Sequence, residues 1–243
     1  MEERNVIVQA SDEVSYDSLL RSKSLLDNRE QGNIQQMCDI IESQIKRTGQ
    51  SELSILEIGF GDGRHLRKLS EIYKDSKITG LEVREEPVEN MVGLGYDCRL
   101  VDTEFFNEFF KNGETFDIIY GYGSLHHMSD PYKSLESLMK LLNRDGILVF
   151  IREAHQYDLL SHLYTTLKGN WVFEKNTLLM NRKRFKKLLG KYSNDYYARY
   201  DNNTLSMCFK RFNSLHCKLK LNKVPFWNGL TIYARMDDYY GDQ

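Results

Sequence analysis

The feature that most constrains the fold is a short apolar stretch that runs into a glycine-rich loop and then into a helix. Residues 53–58 predict a buried strand, the loop Gly59-Phe-Gly-Asp-Gly63 has glycine at every second position, and residues 64–73 carry apolar side chains at helical spacing. Glycine lets the backbone turn tightly and lets a ligand approach closely. The N-terminus of the following helix offers unpaired N–H groups and positive partial charge. We therefore expect a polar ligand to bind at this loop.

Strands and helices continue to alternate as far as residue 151. The further predicted strands lie at residues 77–83, 97–101, 116–120 and 146–151. A helix is predicted over residues 132–142, with residues 143–146 as its exit turn. Such alternation predicts an α/β fold with a doubly wound, Rossmann-like parallel sheet that helices cover on both faces.

Both flanks of this core predict further elements. Residues 12–48 predict two helical stretches, and in the second one Ile34, Met37, Ile41 and Ile45 recur at helical spacing. Beyond residue 153 the pattern predicts helices at residues 155–167 and 181–189 and a pair of strands at residues 215–221 and 229–236. No assignment follows for residues 193–213.

The glycine spacing and one acidic residue restrict the kind of ligand. A dinucleotide fold requires G-x-G-x-x-G, and the third glycine position counted from Gly59 is Arg64; the third glycine comes one residue early, at Gly63. Glu57 lies two residues before the loop, where a carboxylate would repel a pyrophosphate and attract an ammonium group. The loop therefore favours a ligand with a cationic amine and less phosphate.

At this motif the chain resembles the class I S-adenosylmethionine-dependent methyltransferases, of the small-molecule type. The first motif of that family is E/D-x-G-x-G-x-G after the first strand, and this sequence reads Glu57-Ile58-Gly59-Phe60-Gly61-Asp62-Gly63. The resemblance extends over about residues 50–155. It implies a mostly parallel seven-stranded sheet and S-adenosyl-L-methionine as the cofactor.

The resemblance assigns further cofactor contacts to strand ends. In the family an acid at the end of the second strand binds both ribose hydroxyls, and Glu82, followed by Val83, matches that position. An acid after the third strand lies near the adenine amine, and Asp102, followed by Thr103, matches it. The resemblance thus places the ribose and the adenine beside these two acids.

The fourth strand of the family leads to the far end of the cofactor. Tyr120 and Gly121 close the corresponding strand here, and the run Gly-Tyr-Gly-Ser-Leu-His-His-Met-Ser-Asp-Pro over residues 121–131 resembles the "LHH…DP" segment of small-molecule methyltransferases. We therefore expect Tyr120 and Gly121 to contact the cofactor.

Methyl transfer from a sulfonium is an in-line displacement, so positioning can supply much of the rate. An acceptor that carries a proton also needs a base, and histidine is best tuned for this near neutral pH. The candidates beyond the strand ends are His126, His127, Glu153 and His155, with a hydrogen-bonded turn as the alternative role for each. Two adjacent histidines chelate a metal poorly, so no metal is expected.

We interpret residues 1–243 as a single methyltransferase domain. The resemblance implies a helical lid at residues 1–50, a cofactor-binding core at residues 51–155, and a substrate insert with C-terminal strands at residues 156–243. Aromatic side chains near the site would attract a sulfonium or a cationic amine. The candidates for substrate contacts are Tyr16, Tyr122, Tyr157 and Trp171.

Charge is distributed unevenly and leaves a second function open. Residues 151–243 carry 16 Lys and Arg against 8 Asp and Glu, whereas residues 1–150 carry 17 against 27. The basic run at residues 182–191 predicts either a solvated helix face or a surface for an anionic substrate or RNA. The fourth strand lacks the [N/D]-P-P-[Y/F] motif of amino-methylating DNA enzymes, so we expect a small-molecule methyltransferase acting on O or N.

Two alternatives remain: an RNA methyltransferase that uses the basic third, and a cofactor-binding enzyme of this fold that catalyses a non-methylating reaction. The N-terminus begins Met-Glu-Glu-Arg-Asn and predicts no secretory signal, and the longest apolar stretch is too short for a membrane span. The four cysteines form no C-x-x-C pair, so we expect reduced thiols and a cytoplasmic protein. The oligomeric state is not predicted.

Overall fold

The computed structural model describes residues 23–101, 106, 113–156, 175–203 and 228–236. Its strands are β1 (Ser54–Ile58), β2 (Lys77–Glu82), β3 (Asp97–Leu100), β4 (Phe116–Tyr122), β5 (Leu142–Glu153), β6 (Asp195–Asn203) and β7 (Asn228–Arg235). The helices are α1 (Lys23–Thr48), α2 (Arg64–Ile72), α3 (Glu85–Gly93), α4 (Pro131–Met139) and α5 (Arg182–Leu189). Short 3₁₀ turns lie at Leu125–His127 and Lys175–Leu179.

All seven strands form one sheet in the order β3-β2-β1-β4-β5-β7-β6. The pairs from β3 to β5 are parallel, whereas β7 runs antiparallel to both β5 and β6. This confirms the predicted mostly parallel, doubly wound sheet of seven strands. The strand order reverses between β1 and β4, and in such sheets ligands bind outside the carboxyl ends of the strands at that reversal.

Successive residues of the central strands point to opposite faces of the sheet. Ile55 packs with Leu66 of α2 and Met37 of α1 on one face, whereas Leu56 packs with Leu135 of α4 on the other. Two apolar layers thus bury residues 55–58 of β1, which fixes the position of the loop that follows this strand.

Capping residues lie at the helix starts that the sequence predicts. Asp130 accepts hydrogen bonds from the backbone N–H groups of Tyr132 and Lys133, both at 3.1 Å, and Pro131 occupies the first helical position of α4. Asn181 caps α5 in the same way. Helix α3 was not predicted, although Glu85 and Glu86 in its first turn are typical of a helix start.

Helix α1 packs against the sheet as one continuous helix, where the sequence predicts two stretches over residues 12–48. Met37 and Ile41 are fully buried in the core layer beside β1 and β4. Arg47 donates hydrogen bonds to the backbone carbonyl of Asp145, at 2.7 Å, and to its carboxylate, at 2.9 Å. Residues 12–22 lie outside the described part of the chain, so the first stretch stays a prediction.

The predicted exit turn at residues 143–146 is wrong. Strand β5 begins at Leu142, and residues 143–146 form a bulge within it. Phe116 pairs with Leu142 and Ile118 with Ile147, so the extra residues bulge out between the two pairs. Asp145 adopts a left-handed φ of 63° there. Its carbonyl also accepts a hydrogen bond from the Gln44 side chain, so tertiary contacts from α1 hold the bulge.

The C-terminal strands differ most from the sequence prediction. The unassigned residues 193–213 contain β6, whose Tyr197 pairs with Tyr233 of β7. The described partners of β7 are β5 and β6, and the predicted strand at residues 215–221 lies outside the described ranges. Likewise, only residues 155 and 156 of the predicted helix 155–167 are described, and they are not helical.

Candidate functional site

The glycine-rich loop forms the floor of the site at the carboxyl end of β1. Gly59, Gly61 and Gly63 have φ values of 68°, 58° and 75°, the left-handed region that glycine enters without strain. A Cβ on Gly59 would lie 2.9 Å from Cβ of Ser124, and a Cβ on Gly63 would overlap the sulfur of Met91. Among the described residues, a Cβ on Gly61 would meet only the Arg84 guanidinium, at 4.0 Å. Packing against that part of the chain therefore requires the outer two glycines, whereas it leaves the middle one uncovered.

Phe60, which the resemblance also assigns to the cofactor, is 4% exposed and packs in the core layer on the α1 side of the sheet. Its carbonyl accepts a hydrogen bond from the Gly63 N–H at 2.9 Å. Phe60 thus contributes to the shape of the loop from beneath.

Glu82 lies at the end of β2 and ties the loop to the neighbouring strand. Its carboxylate, 6% exposed, accepts hydrogen bonds from the N–H groups of Gly61, Val83 and Arg84 at 2.9, 3.0 and 3.2 Å. The Arg84 Nε donates another at 3.3 Å. The next residue, Val83, is 47% exposed. A fixed carboxylate therefore lies directly beside an exposed apolar side chain at this edge of the sheet.

Glu57 and Tyr120 form a buried pair behind the loop, since β1 and β4 place them side by side. The Tyr120 hydroxyl donates a hydrogen bond of 2.8 Å to Oε2 of Glu57, and Tyr120 and Glu57 are 0% and 2% exposed. Burial raises the pKa of Glu57 to about 8, because the ionised form loses its hydration; the hydrogen bond from Tyr120 opposes that rise. Burial also raises the pKa of Tyr120 well above its ordinary value.

A polar cluster joins α1 to this pair; it contains Tyr122, a predicted substrate contact, together with Asn33 and His65, which the sequence analysis does not single out. The Tyr122 hydroxyl donates a hydrogen bond of 2.6 Å to the backbone carbonyl of Asn33. The ring of Tyr122 lies 4.6 Å from that of His65, whose Nδ1 is 3.9 Å from Oε1 of Glu57. Asn33 is 4% exposed, and its Oδ1 has no hydrogen-bond partner among the described residues. No sequence signal singles out Asn33. His65 could have been identified, because it is the second residue of the helix that begins after the glycine-rich loop.

Glu153, at the end of β5, organises the turn that follows β4. It is fully buried and accepts hydrogen bonds from the N–H groups of Ser124, Leu125 and His126 at 3.0, 3.1 and 3.1 Å. Nδ1 of His126 lies 2.7 Å from its Oε2. The sequence predicts these two residues as separate candidate bases, and the structure joins them as one hydrogen-bonded unit.

Ser124 covers the crevice between β1 and β4. A Cβ on Gly121 would overlap the Oγ of Ser124, so the glycine at this predicted cofactor position makes room for the serine. The Oγ is buried, and no residue in the described ranges hydrogen-bonds to it. Ser124 is not among the predicted site residues, although its place between Gly123 and the two histidines is a usable sequence signal.

The remaining two histidines have different surroundings. The ring of His127 lies 4.0 Å from that of His126, and the residue is exposed to solvent. Crowding by protein atoms desolvates its ring and lowers its pKa well below the ordinary value, and His126 lowers it further. His155 is 0% exposed, and its ring lies 4.6 Å from the Tyr200 ring. Only His127 of the two therefore reaches the surface.

Several predicted site residues lie outside the described ranges: Asp102, Thr103, Tyr16, Tyr157 and Trp171. In the described part of the chain, no three His, Cys, Asp or Glu side chains cluster as a metal site would require. No helix in the same part is both long and apolar enough to cross a membrane.

Comparison with known protein families places this site in context. A family model described as a methyltransferase domain matches residues 56–148, which include the glycine-rich loop, Glu82 and the turn after β4. The ubiquinone biosynthesis O-methyltransferase of Actinobacillus pleuropneumoniae serotype 5b (strain L20) is 30% identical over 115 residues, covering 44% of this chain and 48% of that protein. The chain thus spans about half the length of the curated relatives it matches.

Solved structures share the fold over a longer stretch. The plantazolicin methyltransferase BpumL, in complex with a pentazolic desmethylPZN analog and SAH, aligns with a TM-score of 0.63 at 16% identity, covering 93% of this chain and 90% of that one. The plantazolicin methyltransferase BamL, in complex with a triazolic desmethylPZN analog and SAH, aligns with the same score, identity and coverage. These similarities show that the architecture extends beyond the matched domain into β6 and β7.

Proposed function

We propose that this chain transfers a methyl group from S-adenosylmethionine to an oxygen or nitrogen of a small molecule, since a family model described as a methyltransferase domain matches residues 56–148. One observation carries the proposal: Gly61 faces open space between a fixed carboxylate, Glu82, and a helix N-terminus. At Gly59 and Gly63 neighbouring protein atoms would clash with a Cβ, so packing alone explains these two glycines; at Gly61 no described atom would clash. The middle glycine instead leaves room for a ligand at the reversal of strand order.

The residues at this edge fit the cofactor. Glu82 offers carboxylate oxygens to the ribose hydroxyls, and the exposed Val83 offers an apolar surface to the adenine. Asp102 and Thr103 keep the adenine role that the resemblance implies. The unpartnered oxygens of Ser124 and Asn33 suit the polar end of the cofactor, because a buried acceptor without a partner is costly unless a ligand satisfies it.

When bound, the cofactor supplies a methyl group that its sulfonium already activates. The chain then has to hold the acceptor in line, exclude water and take up a proton from an acceptor O–H or N–H. We assign the proton to a ring nitrogen of His127, because this residue is exposed on the turn that follows β4 and a neutral imidazole can accept a proton. Glu153 and His126 position the turn, and His155 packs behind it against Tyr200.

The curated relatives support an oxygen as the acceptor atom, because those proteins are named O-methyltransferases. The lid role would fall to the residues before α1, which include Tyr16, because Met37 and Ile41 of α1 are fully buried in the core. Tyr122, Tyr157 and Trp171 would line the acceptor side, with residues 156–243 supplying the substrate insert. Loops of this kind carry specificity while the rigid sheet keeps the chemistry in place.

The test is methyl transfer by the whole chain from methyl-labelled S-adenosylmethionine to a panel of phenols, hydroxy acids and amines. We expect label in the acceptor and one S-adenosylhomocysteine released for each methyl transferred. The His127→Ala variant should lose about 10²-fold or more in kcat near pH 7 with a protonated phenol, and recover as the pH passes the phenol's own pKa.

Two results would count against these assignments. Acceptor consumption without S-adenosylhomocysteine release would favour a non-methylating reaction. Full turnover by His127→Ala at all pH values would leave methyl transfer in place and remove the histidine base.

A further inference from the structure

A basic groove lies next to the proposed active site, and the methyl-transfer steps assigned so far do not use it. It is an open cavity of about 520 Å³. Its lining residues, which define the basic groove, are Gln156, Leu178, Leu179, Asn181, Lys183, Arg184 and Lys187. Three of the seven are cations and two are leucines, so the groove combines positive charge with apolar surface.

The groove lies at the ligand-binding edge of the sheet. Gln156 comes three residues after Glu153, the last residue of β5. The turn Lys175–Leu179, which supplies both leucines, contacts the turn Leu125–His127. The groove is therefore formed in part by a turn that packs against the turn carrying the proposed proton acceptor, His127.

The cations of the groove are available to a ligand. Across the described residues, Lys183, Arg184 and Lys187 take part in no ion pair with an acidic side chain. Lys183 and Lys187 are four residues apart on α5, so they lie on the same face and repel each other. An anion bound between them would relieve that repulsion.

Hydrogen bonds and ring contacts fix the wall of the groove in advance. The Arg184 guanidinium lies 3.9 Å from the centre of the Tyr132 ring. The Tyr132 hydroxyl donates to the carbonyl of Leu179 and accepts from the N–H of Asn181 at 3.0 Å. A guanidinium held over a ring presents a planar set of donors that suits a carboxylate or a phosphate. Because the Arg184 side chain is already held in place, less conformational entropy is lost when an anion binds.

The other surface of the groove is apolar. Leu178 and Leu179 are 49% and 44% exposed, which is unusual for large apolar side chains beside a cavity. None of the lining residues is aromatic, and Arg184 covers the nearby Tyr132 ring, so the lining offers no platform for stacking nucleic-acid bases. The groove therefore suits a compact molecule with an anionic group and an apolar body better than it suits RNA.

We infer that the basic groove binds the methyl acceptor through a carboxylate or phosphate on that molecule, with Lys183, Arg184 and Lys187 as anion ligands and Leu178 and Leu179 against its apolar body. This inference rests on the proposed methyl-transfer function and names the chemical class of its acceptor.

The test uses three probes with the same apolar body: 2-naphthoate, 2-naphthyl phosphate and neutral 2-naphthamide. Binding to the whole chain, with S-adenosylhomocysteine present, is measured by equilibrium dialysis. We expect at least one anion to bind roughly fivefold tighter than the amide, the size typical of two partly exposed charge pairs. The better anion then distinguishes a carboxylate from a phosphate ligand.

The variant that tests the site is Lys183→Gln/Lys187→Gln. It should lower the preference for the anion to what Arg184 alone supplies, about twofold or less, whereas the control Lys186→Gln, an exposed lysine of α5 outside the groove, should keep the preference within about twofold of the unmodified chain's value. Equal binding of all three probes to the unmodified chain, or an unchanged preference in the double variant, would overturn the inference.

Two further measurements separate this inference from the proposed function. Calorimetric binding of S-adenosylhomocysteine to the unmodified chain tests the cofactor site alone, so cofactor binding without an anion preference removes only the groove assignment. The opposite outcome is that a short single-stranded RNA displaces 2-naphthoate and binds more tightly than 2-naphthoate does. That result would assign the groove to nucleic acid and contradict a small acceptor.

Discussion

Among single residues, Glu57 shows most clearly how burial changes the chemistry of a motif. The sequence predicts a carboxylate that attracts an ammonium group. In the fold the side chain is 2% exposed, and its pKa rises to about 8 because burial removes the hydration of the charge. The chain without ligand therefore favours the protonated carboxyl group near neutral pH, and the sequence could not show this because it depends on packing from α1, α2 and β4.

The raised pKa of Glu57 predicts a pH-dependent stability. Between about pH 4.5 and pH 8 the folded chain retains a proton that the unfolded chain has released, so the free energy of unfolding falls as pH rises through this window and levels off above it. A tenfold change in proton affinity between the two states corresponds to about 1.4 kcal/mol. The Glu57→Gln variant should show a smaller fall, measured by urea unfolding across this range. The exposed control Glu52→Gln should follow the unmodified chain, and equal slopes for all three proteins would contradict the burial argument.

Among the elements, the turn after β4 depends on a carboxylate from β5. Glu153 accepts three backbone N–H groups and faces Nδ1 of His126. Glu153→Ala leaves those buried donors without an acceptor, so we expect a loss of about 3 kcal/mol or more and a melting temperature lower by about 6 °C or more. Glu153→Gln retains one oxygen acceptor and should lose less. Thermal unfolding of the two variants measures the difference.

The same pair of variants tests whether Glu153 positions the turn or acts as a base. A positioning residue lowers kcat without changing the shape of the pH profile, because the titrating group is still present. We therefore expect the profile of Glu153→Gln to keep its shape at reduced amplitude. Loss of the acidic limb of the profile in Glu153→Gln would instead make Glu153 the proton acceptor.

Most elements with a clear local pattern were predicted well, although α3 was missed, and elements defined by distant contacts were not. Strands β1 to β4 and helix α2 match the prediction within two residues, because each has its own apolar periodicity and turn residues. The bulge in β5 depends on Gln44 and Arg47 of α1, which lie about a hundred residues earlier in the chain. Strand β6 reads as a polar, tyrosine-rich segment and is fixed by pairing with β7.

For the site, the motif residues were predictable, whereas the residues that hold them were not. Glycine spacing and strand ends identified Gly61 and Glu82, and the parallel sheet brings them together at one edge. The roles proposed for Asn33 and Ser124 rest on buried oxygens that no described residue hydrogen-bonds, and no sequence pattern shows this.

For the whole molecule, charge and architecture point to the same edge. The sequence predicts the basic run at residues 182–191 to be either a solvated helix face or a surface for an anion. In the structure most of this run forms α5, and its Lys183, Arg184 and Lys187 line the basic groove. The sheet therefore places a proposed cofactor loop and a proposed anion site at the same carboxyl edge. A small acceptor could then be bound between two rigid elements.

The central claim is that the glycine-rich loop binds S-adenosylmethionine, and calorimetric titration of the whole chain with S-adenosylmethionine and S-adenosylhomocysteine tests it most directly. We predict micromolar binding of both. Gly61→Ala should weaken binding at least about tenfold, since its Cβ enters the ligand space, while costing only about 1–2 kcal/mol of stability for the left-handed φ. No binding heat from a folded sample free of copurified cofactor would contradict the claim.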